Sequence, residues 1–270
     1  MLSFLARHPP RTEVAHLTHV SLDEGRASIT FHPRSSAYLV TERIPPQASD
    51  EDVRSGRAPT KANSALDPPL HWHAHQDETF HVVRGTARFF VEGKASYATA
   101  GAQVTVPERA YHSFRNASEE NELVIEFVLE PRFQERDESF FRNLQTYRDD
   151  CRKAGIPFAL PQVLLFLYYA DTLLALPGPR FIARPLAFLI NFLGGLVLGH
   201  YILGYQNCYP EYFQPGKVAE EVKERDFAEV KKLELREEGQ GGSPKGGKEG
   251  GKEGRPVRRT RGSREVSYRD

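Results

Sequence analysis

The chain has 270 residues, enough for one or two domains, and its 36 Lys and Arg balance 36 Asp and Glu. That balance removes any global field that would steer it toward nucleic acid or acidic substrates. Its two cysteines, Cys151 and Cys208, make neither a disulfide framework nor a zinc motif and read as reduced thiols.

The opening MLSFLARHPPR has an apolar run shorter than the ~7–15 residues of a secretory core, so no signal peptide is expected. Residues 1–130 then read as strands and turns. RASITF and AYLVTERI are rich in β-branched and aromatic residues. The polar stretch from Pro45 to Pro69 reads as a long loop or insertion. LHWHAH, ETFHVVRG, TARFFVEG, KASYATAG, AQVTVP, AYHSFRN and ELVIEFVLEP follow, with Gly85, Gly93 and Gly101 at hairpin intervals. Many short strands with regular turns predict a mainly β sandwich or barrel.

Residues 131–157 predict a surface helix and linker, because Phe133, Phe140, Phe141, Leu144 and Tyr147 recur near helical spacing among charges. Residues 158–213 predict a hydrophobic helical hairpin. Phe158 to Leu176 has Asp171 as its one charge, and Leu186 to Tyr205 has none besides His200. Each approaches the ~20 residues needed to cross a bilayer. Leu186 to Tyr205 is the firmer span. Phe158 to Leu176 reads as a second span or as a re-entrant or interfacial segment, since a mid-helix carboxylate costs about 2.5–3.5 kcal/mol. Gly195 and Gly199 give a GxxxG spacing that allows close helix approach. Two buried helices of a helical domain are the competing reading.

These segments predict membrane association with the β region on the cytosolic side. Residues 214–238 read as a charged, solvated helix. Residues 239–270 read as a disordered tail with nine Lys and Arg against four acids, able to lie on anionic lipid. No aromatic platform accompanies that charge, so no nucleic-acid partner is expected.

The chemistry concentrates in His71-Trp-His73-Ala-His75-Gln-Asp-Glu78. Side chains two apart on a strand share a face, so His71 and His73 project together. Glu78 follows after a turn, and His112 stands on a later strand after Pro107. Three imidazoles and a carboxylate suit a divalent first-row metal: iron or manganese first, then nickel, copper or zinc. His75, if inward, is a candidate acid or base because its proton affinity lies near neutral pH. Phe80 and Val82 continue the Glu78 face and Phe114 the His112 face, so with Phe89 they are candidate pocket walls. Each of these is more often a plain core residue than a substrate contact, and a histidine triplet alone is more often structural or surface than a ligand.

This stretch resembles the cupin superfamily. His71-x-His73-x4-Glu78-x6-Gly85 matches its first motif, with Ala65 in place of the leading glycine. Gly101-x5-Pro107-x-Arg109-x2-His112-x3-Asn116 matches its second, with Arg109 in place of a glycine. The resemblance covers residues 25–130. It implies a jelly-roll β-barrel, a metal held by His71, His73, Glu78 and His112, and homodimers paired through sheet edges. It also implies dioxygenase, decarboxylase, isomerase or epimerase chemistry. The combination of a small barrel and a hydrophobic extension is loosely similar to cupins of fungal secondary-metabolite pathways. The expected function is a metal-dependent enzyme acting on a small apolar or aromatic molecule. A non-catalytic, membrane-tethered ligand-binding module and a scaffold working through the charged helix and tail are the alternatives.

Overall fold

The computed structural model describes residues 2–47 and 66–214, together with the backbone of 265–267. Two sheets carry the fold. The first runs β1 (His19–Leu22), β2 (Ala27–Phe31), β3 (Val40–Ile44), β10 (Leu123–Glu130), β5 (Asp77–Arg84) and β8 (Gln103–Val106), all antiparallel. A short β12 (Glu265–Ser267) adds in parallel to β8. The second sheet runs β11 (Thr172–Leu174), β4 (His71–His73), β9 (His112–Asn116), β6 (Thr86–Val91) and β7 (Lys94–Thr99). The rest of the expected tail, and the charged helix from residue 215 on, lie outside the described residues, as do 48–65 of the long loop.

The alternation seen in the sequence becomes the inside and outside of this barrel. Val40, Glu42 and Ile44 of β3 are buried between half-buried neighbours, and His112, Phe114 and Asn116 of β9 repeat the pattern. The two sheets meet through Phe80 of β5, whose ring lies 5.2 Å from Phe89 and 5.0 Å from Phe114. Gly85 must be glycine: it has φ +84°, and a Cβ there would strike the Glu122 carbonyl.

Three helices follow: α1 (Gln134–Lys153), α2 (Leu160–Tyr169) and α3 (Arg180–Ile190), which runs on as a π-helical stretch, Asn191–Leu203. The expected surface helix is instead largely buried. Asp137, Glu138, Arg142, Asp149 and Asp150 are buried rather than solvated. Arg142 bonds Glu138 at 2.7 Å and lies 3.9 Å over the Phe31 ring. Asp150 accepts from the Thr12 amide (2.8 Å), the Thr12 hydroxyl (2.6 Å) and the Tyr212 hydroxyl (2.8 Å). These bonds strap the N-terminal arm and the segment after α3 to one helix.

The expected first span is also corrected. Residues 158–176 are not one helix, because α2 has only ten residues, about 15 Å of rise and half a bilayer core. The chain leaves it at Asp171, in the left-handed region (φ 51°), and returns as strand β11. The carboxylate that looked costly mid-helix lies outside any helix, 3.0 Å from Arg136. Arg180–Leu203, 24 residues, is the helix among those described that is long and apolar enough to cross a membrane by length and composition. Its Gly195 and Gly199 do make the close approach: a Cβ would sit 2.6 Å from the Leu164 backbone and 2.8 Å from the Pro161 carbonyl. The partner is α2 of the same chain.

Candidate metal centre

The second sheet brings the predicted ligands together. His71 pairs with His112 across β4 and β9. Glu78 opens β5 on the facing sheet, opposite Leu129 and Val106. All four side chains are buried, and their ligand atoms lie within 4.8 Å of one another. Metal–donor bonds of about 2.0–2.2 Å place paired donors at most ~4.4 Å apart, so a small shift suffices to close the set on one ion. The donor chemistry, three imidazoles and one carboxylate, fits a divalent first-row metal.

Hydrogen bonds set which ring nitrogen faces the cluster. His71 Nδ1 donates to the Pro69 carbonyl and His112 Nδ1 to the Ala110 carbonyl, both at 2.9 Å. His73 Nδ1 donates to the Thr172 hydroxyl (3.2 Å), which donates on to the Ala170 carbonyl (3.3 Å). The Nε2 atoms of His73 and His112 come within 3.2 and 2.9 Å of Glu78 Oε2. Outward Nδ1–H bonds of this kind fix the tautomer and raise ligand basicity. Burial, then the neighbouring His112 and His73, holds His71 well below the usual imidazole range, so it stays the neutral, metal-binding form. Burial pushes the Glu78 carboxyl up, but the neighbouring His73 and His112 outweigh it and leave the group below the usual carboxylate range.

His71, His73 and Glu78 of the cluster line a cavity of about 160 Å³. At ~10–15 Å³ per water, that is room for a small organic molecule. Its other walls come from Glu42 of β3, Phe114 of β9, Phe127 of β10, and Phe140, Phe141, Leu144, Gln145 and Arg148 of α1. Val163 and Leu167 of α2, Thr172 and Leu174 of β11, Phe158, and Leu66, Pro68 and Pro69 ahead of β4 complete it. The helices thus roof the barrel over the ligands.

Of the predicted pocket walls, only Phe114 lines this cavity. Phe80, Val82 and Phe89 are fully buried and lie in the packed core, where Phe80 and Phe89 touch Phe114. His75 does not point inward. β4 ends at His73, the chain bends with the Ala74 amide on the Asp171 carbonyl (2.9 Å), and His75 is exposed outside the cavity. His81 faces away too, stacked on Tyr38 at 5.7 Å. Asn116 of the second motif is structural, donating to the Pro45 (3.0 Å) and Asn121 (2.8 Å) carbonyls. Arg109, standing where the motif has glycine, keeps the left-handed φ of 66° and donates its amide to the His73 carbonyl at 2.8 Å. Sequence reasoning missed Glu42, although it sits at an inward position of an alternating strand.

Residues 62–129 match the cupin domain family, Cupin_2. The barrel is a cupin. Beyond that domain, the chain is 28% identical over 218 residues to "Probable oxidoreductase virH" of Hypocrea virens, covering 79% of this chain and 94% of that one. It is 30% identical over 154 residues to "Probable oxidoreductase yanE" of Aspergillus niger, covering 54% and 58%. Among solved structures, KdgF from Halomonas sp. is 18% identical, aligned over 41% of this chain and 83% of that one, with a TM-score of 0.28. The match to the Hypocrea protein is far longer than the cupin domain itself, so the likeness reaches into regions flanking the barrel.

Proposed function

We propose that this cupin is a metal-dependent oxidoreductase acting on a small apolar or aromatic organic molecule, in a tailoring step of secondary metabolism. The observation that carries the reading is the four-residue cluster, three of whose members, His71, His73 and Glu78, line a cavity otherwise built mainly from Phe and Leu side chains. Iron or manganese is the expected ion. Bound there, it would supply Lewis acidity or oxygen activation. The chain's own residues hold the imidazoles in one tautomer, exclude bulk water through the α1 and α2 roof, and offer phenylalanine faces to the substrate. The names of the Hypocrea and Aspergillus relatives support oxidoreduction over isomerisation or decarboxylation.

The site works at a membrane surface in this reading. The outer face of Arg180–Leu203 exposes Phe181, Ile182, Leu186, Leu189 and Tyr201, and Leu2 at the N-terminus bonds the Ile202 carbonyl at 2.7 Å. The inner face is packed on α2, and Asn191 donates to the Thr172 carbonyl of β11 (2.9 Å). A helix held along its own domain in this way suits an interfacial position better than a span. Phe158 lines the cavity and is half exposed.

Metal analysis of the purified full chain, beside the Glu78→Ala, His112→Ala double mutant, tests the centre. Near-stoichiometric iron or manganese lost in the mutant is expected, and a folded protein without metal refutes the enzyme reading in favour of a ligand-binding module. Flotation with phosphatidylcholine vesicles tests the surface: protein remaining in the dense fraction refutes membrane association.

A further inference from the structure

The cavity has polar lining beyond the candidate ligands. Glu42 sits at the middle of β3 between inward Val40 and Ile44, is 2% exposed, and lines the cavity. Its Oε2 has no hydrogen-bond partner among the described residues. A buried carboxyl oxygen with nothing to bond is costly, whereas an apolar side chain there would extend the core around it. Gln145 and Arg148 of α1 line the same cavity, with Arg148 donating to Gln145 Oε1 at 3.4 Å. Burial first, then the Glu78 and Asp67 carboxylates, push the carboxyl well above the usual range against the pull of Arg148, and that shift favours its protonated form. A protonated carboxyl donates one O–H, and a guanidinium only donates. This wall therefore offers donors, while Phe114, Phe127, Phe141, Leu144, Val163 and Leu167 offer apolar surface.

We propose that Glu42, beside Arg148 and Gln145, is the substrate anchor of this cavity: it donates a hydrogen bond to a carbonyl or carboxylate oxygen carried on an otherwise apolar body. The substrate class is thus a ketone or carboxylic acid with an aromatic or alicyclic skeleton. This deepens the oxidoreductase reading and rests on its cavity being the substrate site. Glu42 is a specificity-determining residue, and the polar end it holds leaves the apolar body to span toward the ligand cluster.

The test is calorimetric binding of acetophenone, benzoate and ethylbenzene to the full chain, metal-loaded and after chelator treatment. Wild type and Glu42→Gln, Glu42→Leu and Glu42→Met are compared, each with its metal content and thermal melt. Wild type is expected to bind acetophenone at least tenfold tighter than ethylbenzene, about 1.4 kcal/mol. Glu42→Gln, which keeps an N–H donor, holds that ratio within about threefold. Glu42→Leu and Glu42→Met bring it close to one while melting no lower than wild type, since each removes an unpaired buried carboxyl. Failure of both oxygen-bearing probes to bind overturns the proposal. So does a ratio that survives in Glu42→Leu or in Glu42→Met, whichever folds. A chain without metal that still shows Glu42-dependent discrimination sinks the metal reading and keeps this one. Stoichiometric metal with discrimination indifferent to Glu42 does the reverse.

Discussion

Replacing Thr172 by valine removes one hydroxyl and little volume, and that hydroxyl is the sole side-chain partner seen on His73 Nδ1 among the described residues. His71 and His112 are oriented by backbone carbonyls, which substitution leaves in place. In Thr172→Val the His73 ring either keeps a buried Nδ1–H without an acceptor or moves the proton to Nε2, where it blocks the lone pair facing Glu78. Losses of this kind weaken metal affinity about 10–100-fold, or ~1.4–2.7 kcal/mol. Metal-free stability falls by only about 1 kcal/mol, the net worth of one neutral hydrogen bond. Chelator competition on the full chain measures the first, urea unfolding after metal removal the second. Thr105→Val, which breaks a hydroxyl pair with Thr79 (3.1 Å), the residue after Glu78 and so on the other face of β5, is the control and leaves metal affinity unchanged. A Thr172→Val protein that binds metal within threefold of wild type refutes the argument that β11 sets the His73 tautomer.

Asp150→Ala removes the acceptor of three short hydrogen bonds that strap residues 12 and 212 to α1, and unfolding free energy should drop by roughly 3 kcal/mol in urea titrations. Gly195→Ala gains helix propensity of about 1 kcal/mol but drives a methyl into the Leu164 backbone, so a net loss of about 1–2 kcal/mol is expected by the same titration. Asp67 has its carboxyl raised to about 7 by burial, against the pull of Arg115 and Arg148. Its unfolded form ionises first as pH rises, so the native state binds the extra proton and loses stability between about pH 4 and 7. Asp67→Asn removes that slope: its melting temperature relative to wild type should climb across this window and level off above it. Flat differences across pH 4–8 would contradict the assignment.

The candidate metal donors could be brought together from sequence because all four come from strands whose alternation is local, three of them within eight residues of chain. The lid was not. Charged residues of α1 read as solvent-facing because sequence does not reveal that Arg142 finds Glu138 and Asp150 finds Thr12 and Tyr212. The same blindness misplaced Asp171, whose partner Arg136 lies 35 residues earlier. His75 kept the period of His71 and His73 on paper, but a strand ending at His73 breaks the period. Phe80, Val82 and Phe89 were inward as expected yet one layer too deep, since alternation gives a face and not a depth. Glu42 was available to the same alternation that found Phe80, had the polar exception on β3 been followed.

The strand β11 has three residues, and it closes the edge of the strand that bears His71 and His73. A barrel severed from its helices would present that edge bare, a template for another chain's backbone. The coupling runs deeper than solubility. A lineage that reshapes its lid to admit a new compound must keep, on the very same segment, the hydroxyl that orients His73. On the proposed function, selectivity and reactivity would not be separately heritable: exchanging the helical half between relatives would transplant part of the candidate metal centre's environment along with the roof.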